Sequence, residues 1–197
     1  MFKPNPHWWR EPEHNLKEIV FTPIRSDATR VAALLSGEVD IIEPVPVQDI
    51  ARVDSSPNAQ VLKGTEVRTI FLGMDQTRDE LLYSNVKGKN PFKDVRVREA
   101  FYRAIDVELI RTRVMRGLST PSALMIAPQL FPFSKDFERP KFDPERAKKL
   151  LAEAGYPDGF EVTLDCPNDR YVNDAAICQA VVGMLARVGV KVDLQAQ

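Results

Sequence analysis

The sequence contains few of the residues, and none of the short motifs, on which most catalytic sites depend. Histidine occurs only twice in 197 residues, as His7 and His14, both in a loop-like stretch near the start. No G-x-S-x-G turn, G-x-x-x-x-G-K-[ST] loop, G-x-G-x-x-G turn or H-E-x-x-H helix occurs. The pattern therefore predicts no catalytic residue, no metal site and no cofactor, and it argues against an enzyme.

The chain also lacks an excess of charge and a long apolar run. Its formal net charge is −1, which excludes the strongly basic surface typical of nucleic-acid binding. No stretch approaches the roughly 18 consecutive apolar residues of a membrane helix. The opening residues, MFKPNPHWWR, lack the basic head and apolar middle of a signal peptide. Taken alone this favours the cytoplasm, but an internal piece of a longer protein would look the same.

Cysteine is scarce too, with Cys166 and Cys178 as the only two. They are too far apart for a C-x-x-C redox or zinc pair. A disulfide requires the two Cα atoms to lie within about 7 Å, which spacing alone cannot show. We therefore slightly favour two free thiols, with a disulfide as the alternative.

Helical and strand patterns alternate along the chain, which predicts an α/β fold. Helices are expected where a capping residue precedes apolar residues at helical spacing: from Asp27 to Gly37, over 47–53, from Asp94 to about Gly117 with a restart at Asp106, from Asp143 to Gly155 and over 176–188. Strands are expected over β-former-rich runs: 17–24, 39–42, 60–63, 66–75, 160–165 and 191–194.

The run 66–75 (EVRTIFLGMD) is the longest of these predicted strands and has no turn signal until residue 76. A strand of that length crosses between two lobes, so we place the domain junction here. Ligands usually bind at such a junction, which makes Met74 and Asp75 candidate binding residues. The alternative, favoured for each residue alone, is that Met74 belongs to the core and Asp75 caps a turn.

Two adjacent tryptophans, Trp8 and Trp9, admit two interpretations. They either stack on a ligand or pin the terminal loop onto a core, and we favour packing.

Five stretches follow one another along the chain in a recognisable order: NPHWW with LKEIVFTPI, RVAALLSGEVDII, RTIFLGMD, NPFKDVRVREAFYRAID, and FDPERAKKLLAEAGYPDGFEVTL. Their order resembles the family 5 extracellular solute-binding proteins of ABC importers, a group that includes dipeptide-, oligopeptide- and nickel-binding proteins. The helix containing RVREAFYRAID identifies the family best, although its charged face is expected to be solvated. Each stretch alone is a weak signal, but together they cover nearly the whole chain in the family's order.

The resemblance implies a bilobal periplasmic-binding-protein fold (type II, cluster C-like) that traps its ligand between two lobes by hinge closure. It assigns residues 1–68 to part of lobe I and 69–197 to part of lobe II. It also implies a periplasmic or lipid-anchored protein that delivers a peptide or other small solute to a membrane permease. Compared with the family the chain looks shortened at both ends, so we expect it to bind cargo weakly, or not at all, in isolation.

The candidate ligand-binding residues are Arg68, Phe71, Met74 and Asp75. Phe71 offers a ring for stacking, and Arg68 and Asp75 offer charges for the ends of a cargo. Asp75 stands where the family usually has Asn, which leaves the ligand class open. Two other functions remain as alternatives: a small α/β enzyme with a site among Arg68, Asp75 and Asp79, and a cytoplasmic interaction module.

Overall fold

The chain divides into two units, Met1–Val61 and Leu62–Gln197. The structure is a computed structural model that describes residues 1–197, apart from the side chain of residue 135. The assignment of residues 1–68 and 69–197 to two lobes stays a prediction, and the two units are described separately here.

The first unit contains two helices, α1 (Asp27–Ser36) and α2 (Ile50–Asp54). The expected cap of α1 is shifted by one residue: Ser26, not Asp27, accepts the Thr29 N–H. Gly37 ends α1 in a left-handed conformation (φ 78°), as predicted. Val31 and Ala33 of α1, together with Val47 and Val53, are buried.

The strands predicted over 17–24, 39–42 and 60–63 are wrong. Ile19 makes only an isolated antiparallel bridge to Phe2, and the other two runs have no regular structure. At the ends of two of these runs, the carbonyls of Ile24 and Pro44 accept hydrogen bonds from the Arg30 guanidinium at 3.0 and 3.2 Å. These carbonyls are satisfied by a side chain rather than by a strand ladder.

The second unit contains the remaining helices and both strands. Its α-helices are α3 (Val95–Ala104), α4 (Val107–Leu109), α5 (Pro144–Glu153) and α6 (Asp174–Ala186). Shorter elements are 3₁₀ turns at Pro91–Lys93, Pro128–Leu130 and Ser134–Asp136 and a π-helix at Ile110–Val114. The strands are β1 (Glu161–Cys166) and β2 (Lys191–Ala196). The predictions for α3, α5, α6 and both strands are confirmed, with ends that differ by a few residues.

The two strands pair in parallel, from Glu161 opposite Lys191 to Cys166 opposite Ala196. Parallel neighbours need a crossover, and α6 supplies it, which makes β1–α6–β2 a strand–helix–strand unit. The core cluster of this unit unites one face of each long helix with β1 and comprises Leu81, Phe92, Val97, Ala100, Phe101, Ala104, Ala147, Leu150, Leu151, Tyr156, Phe160, Val162, Val181, Leu185, Val188 and Val190. The α/β class is therefore as predicted.

The preference for two free thiols is wrong, because Cys166 and Cys178 form a disulfide. Packing of α6 on the end of β1 brings the two Cα atoms to 6.5 Å, inside the range that a disulfide spans. Closing a loop of this size stabilises a fold by about 3 kcal/mol in the loop-entropy description.

Asp94 begins α3, as predicted, by accepting the Arg96 N–H at 2.8 Å. The Arg96 side chain also donates to this carboxylate and is the main reason why the pKa of Asp94 lies below its ordinary value of 3.8. We expect Asp94→Ala to lower the free energy of unfolding by about 1 kcal/mol, and Asp94→Asn to lower it much less, since Asn is an equally good cap.

The stabilisation that Asp94 provides should depend on pH, and the direction of this dependence follows from the lowered pKa of its carboxyl group. A carboxyl group with a depressed folded-state pKa stabilises the fold above its unfolded pKa and loses this contribution as pH falls through the folded pKa. The difference between wild type and Asp94→Ala should therefore be full at neutral pH and shrink below about pH 4. Urea denaturation at several pH values measures it, and a difference that grows on acidification would contradict the assignment.

Candidate ligand-binding segment

The segment predicted to be a long strand, residues 66–75, is not one. It has no regular secondary structure, and no other described residue pairs with it in a strand ladder. Val67 is 57% exposed and Ile70 is 44% exposed, so its β-forming side chains are not buried against a sheet. The run of β-formers indicated an extended backbone but not the partner that a strand requires.

Arg68 is positioned by two contacts at its guanidinium. Its Nη1 donates to the carbonyl of Arg170 at 3.3 Å, and its Nη2 lies 2.8 Å from a carboxylate oxygen of Glu66. About half of the side chain remains exposed. Arg68 therefore touches the loop that follows β1 and still has a solvent-facing portion.

The two apolar candidates have different surroundings. Phe71 is 60% exposed, so its ring is accessible to a stacking partner. Met74 is partly buried and packs against the core cluster. Of the pair, Phe71 has the free surface that a ligand contact requires.

Asp75 folds back onto its own chain. One carboxylate oxygen accepts the N–H groups of Thr77 at 2.9 Å and Arg78 at 3.3 Å, and the other pairs with the Arg78 guanidinium. These backbone bonds, that of Thr77 first, hold the pKa of Asp75 below its ordinary value of 3.8, so the group is ionised at neutral pH. This geometry is that of a turn cap, the alternative interpretation of Asp75, and the ligand role of the four candidates stays a prediction.

Asn90 is a residue of this region that the sequence did not point to. Its amide nitrogen donates to the carbonyls of Asp75 at 2.8 Å and Arg78 at 2.9 Å, and its amide oxygen accepts the Phe92 N–H at 2.9 Å. Asn90 is only 6% exposed. An Asn before Pro indicates a turn, but nothing in the sequence shows that the side chain reaches a second turn fifteen residues earlier.

The loop contacted by Arg68 is held from within by a second buried polar residue. Asp174, 4% exposed, accepts the N–H groups of Arg170 at 2.9 Å and Tyr171 at 3.3 Å. Burial, followed by the charge of Asp174, raises the pKa of the Tyr171 phenol above its ordinary value of 10.0. The structure thus places Arg68 beside this loop, and Met74 and Asp75 at the turn that Asn90 holds.

In the first unit, the tryptophans do not follow the favoured interpretation. Trp8 is 49% exposed and Trp9 is 75% exposed, so the expectation that they are buried in a core is wrong. Their rings contact each other at 5.7 Å, and the Arg10 guanidinium lies 4.8 Å from the Trp9 ring centre, which covers the indole with a cation instead of a core. Trp8 lines an open recess of about 390 Å³ together with Lys3, Pro4, Asn5, Arg10, Pro12, Glu13 and His14.

The described part of the chain contains neither a cluster of metal-ligating side chains nor a membrane-spanning helix. No group of three or more His, Cys, Asp or Glu side chains there is placed to hold a metal ion. No helix there has the length and apolar character needed to cross a membrane.

Known proteins resemble this chain in both sequence and structure. The sequence matches the family model "Bacterial extracellular solute-binding proteins, family 5 Middle" over residues 1–197. It is 26% identical over 189 residues to the glutathione-binding protein GsiB of Salmonella typhimurium, a match that covers 96% of this chain and 34% of GsiB.

Two solved structures resemble the chain as well. The periplasmic binding protein DppA from Helicobacter pylori, in complex with the peptide STSA, gives a TM-score of 0.84 at 22% identity and is matched over 99% of this chain and 35% of DppA. The binding protein AgaA from A. tumefaciens R10, in complex with agropinic acid, gives a TM-score of 0.66 at 31% identity over 88% of this chain and 33% of AgaA.

The chain therefore spans about a third of the length of these relatives and has part of the periplasmic-binding-protein fold. The members of the family are extracellular solute-binding proteins. Since the family match extends over every residue, the chain belongs to the bacterial extracellular solute-binding proteins of family 5.

Proposed function

We propose that this chain is part of the substrate-binding component of an ABC importer. In the proposal, the protein captures a peptide or other small solute between two lobes in the periplasm and delivers it to a membrane permease, without chemical conversion. Residues 1–68 would contribute to lobe I and 69–197 to lobe II. The family match over all 197 residues is the observation that carries the proposal.

The relatives support a small, polar cargo. By name, GsiB binds glutathione, DppA was solved with a peptide and AgaA with agropinic acid. The side chains of segment 66–75 suit such cargo, because the segment offers a half-exposed cation, Arg68, an exposed ring, Phe71, and a partly exposed anion, Asp75. Met74 is assigned the supporting role of anchoring the turn, since it packs on the core.

Binding by closure imposes an energetic condition. The free energy gained by desolvating the cargo between the lobes must exceed the cost of ordering the cargo and bringing the lobes together. Segments that are ordered before the cargo arrives reduce that cost, and the Asp75 turn is such a segment because its charge and its carbonyls are already hydrogen-bonded.

The proposal is tested by thermal unfolding of the complete gene product with a panel of probes: the peptide Ser-Thr-Ser-Ala, dipeptides, glutathione, agropinic acid, sugars and nickel–histidine chelates. A cargo present at about 100 times its Kd stabilises the folded protein by about 2.7 kcal/mol. In a protein of its relatives' length this should raise Tm by roughly 2 °C. Calorimetry then gives affinity and stoichiometry. Chemical turnover of a probe, or no shift with any probe class, would refute the transport function.

We further expect Asp75→Ala to weaken binding of cationic or amino-bearing cargo by about tenfold, because a charge-assisted hydrogen bond contributes about 1.5 kcal/mol or more. Asp75→Asn separates charge from turn geometry, since an amide oxygen still accepts the Thr77 and Arg78 N–H groups. Asp79→Asn is the matched control, as Asp79 is fully exposed and pairs only with Lys93 at 2.5 Å. Equal affinity of wild type and Asp75→Asn for every bound amine would remove Asp75 from the site.

A further inference from the structure

We infer that Asn90 is a positioning residue for cargo binding: it fixes the turn 75–78 in one conformation before cargo arrives. The inference rests on the proposed function, because the turn matters for binding only if it contacts cargo. It starts from the fact that Asn90 is one of two buried polar residues among those whose side chains the structure describes, and that the other, Asp174, contacts a different loop.

The bonding of Asn90 uses both donors of its amide and one lone pair of its oxygen. Its two N–H groups are directed at carbonyls from the two ends of one turn, those of Asp75 and Arg78, and its oxygen accepts the Phe92 N–H. A carboxylate of the same shape has no donor, and serine is too short to reach two carbonyls while capping residue 92. Among side chains of this size, asparagine therefore meets all three requirements.

The turn is fixed to the core through this residue. Asn90 caps the 3₁₀ turn Pro91–Lys93, and Phe92 within it is buried, with its ring 5.2 Å from that of Phe101. The turn is thus connected to a rigid part of the unit at both ends, which is how supporting residues hold a binding group in place.

The consequence for binding follows from populations. If only a fraction of molecules has the turn formed, the apparent Kd rises by the inverse of that fraction. Loss of the Asn90 donors leaves the carbonyls of Asp75 and Arg78 unpaired in a partly buried place, which disfavours the formed turn. We therefore expect Asn90→Asp to raise the Kd for a probe that the wild type binds by about tenfold.

The experiment combines hydrogen–deuterium exchange with calorimetry on the complete gene product. Asn90→Asp should speed exchange of the Thr77 and Arg78 amides, which the formed turn protects, and raise the Kd for the bound probe of the panel. Asn90→Ser keeps an acceptor for the Phe92 N–H but loses both donors, so it should show the same faster exchange and weaker binding. It replaces Asn90→Asp if that variant does not fold. Asp94→Ala is the control, because it weakens the start of the adjacent helix without touching the turn.

The outcomes separate the alternatives. Faster exchange and weaker binding in the Asn90 variants, with neither in Asp94→Ala, support the inference. Unchanged exchange, unchanged Kd, or an equal rise of Kd in Asp94→Ala overturns it, the last because the effect is then one of overall stability. If the wild type binds no probe, the proposed function fails and the role in binding fails with it, while the exchange data still decide whether Asn90 fixes the turn.

Discussion

Replacement of Gly159 by alanine is expected to lower the free energy of unfolding by about 3 kcal/mol or more. Losses of this size have a small set of causes, and overlap of atoms at a strained backbone position is one of them. Gly159 has a φ of +74°, which a residue with a Cβ adopts only at a cost. The added Cβ would lie 1.9 Å from the carbonyl oxygen and 2.3 Å from the carbonyl carbon of Gly189. Both are backbone atoms, so no side chain can turn away to relieve the overlap.

The crossing of Gly159 and Gly189 lies where the two strands begin to pair. The Lys191 N–H, two residues beyond Gly189, donates to the carbonyl of Phe160, one residue beyond Gly159, at 2.9 Å. The parallel register then starts with Glu161 opposite Lys191. Moving the backbones apart to accommodate a methyl group therefore lengthens these first strand bonds. In the described part of the chain the sheet has two strands, and beyond β2 the backbone of β1 is bridged only by the short segment at Ser84, so few other contacts share the displacement.

Gly183→Ala is the matched control for this prediction. Gly183 lies on the exposed side of α6, and a Cβ there meets no atom within 4 Å. Alanine in a helix interior is more favourable than glycine by up to about 1 kcal/mol, so this variant should be as stable as wild type or more stable. Urea denaturation of wild type, Gly159→Ala and Gly183→Ala measures the three free energies of unfolding. Equal stability of the two variants would show that the strand crossing does not have the geometry described.

Helices were predicted more accurately than strands, for a physical reason. A helix forms most of its backbone hydrogen bonds within itself, and its first residue is often preceded by a capping side chain that can be recognised in the sequence. Asp94 and Asp143 are such caps for α3 and α5. A strand needs a partner elsewhere, and the β-former-rich runs 17–24 and 66–75 have no such ladder. The two confirmed strands, β1 and β2, are those whose connecting helix brings them side by side.

The site was predicted less completely than the fold. The length of the β-former-rich run pointed to segment 66–75, and the structure shows which of its side chains are accessible, such as Phe71. Asn90, which organises the turn 75–78, acts over contacts that join separate loops. No local pattern encodes such contacts, and the same holds for the pairing of Cys166 with Cys178, which depends on how α6 packs.

The core beneath the turn yields the second large prediction. Phe101→Ala is expected to lower the free energy of unfolding by about 4 kcal/mol, as truncation of a buried aromatic side chain removes its burial and leaves a cavity. Phe101 is 4% exposed, and its ring lies 5.2 Å from that of Phe92 and 6.1 Å from that of Phe160. Phe92 lies in the 3₁₀ turn, Phe101 in α3 and Phe160 immediately before β1. The ring that Phe101→Ala removes therefore connects these three parts of the unit.

Val95→Ala provides the comparison on the same helix. Val95 begins α3 and is 63% exposed, so its truncation should change stability by no more than about 0.5 kcal/mol. Phe101→Leu should recover part of the loss, because it refills some of the cavity. Guanidinium denaturation of all three variants measures the ranking. A loss below about 1 kcal/mol in Phe101→Ala would contradict a well-packed ring cluster, and with it the rigid base that Phe92 provides for Asn90 and the turn 75–78.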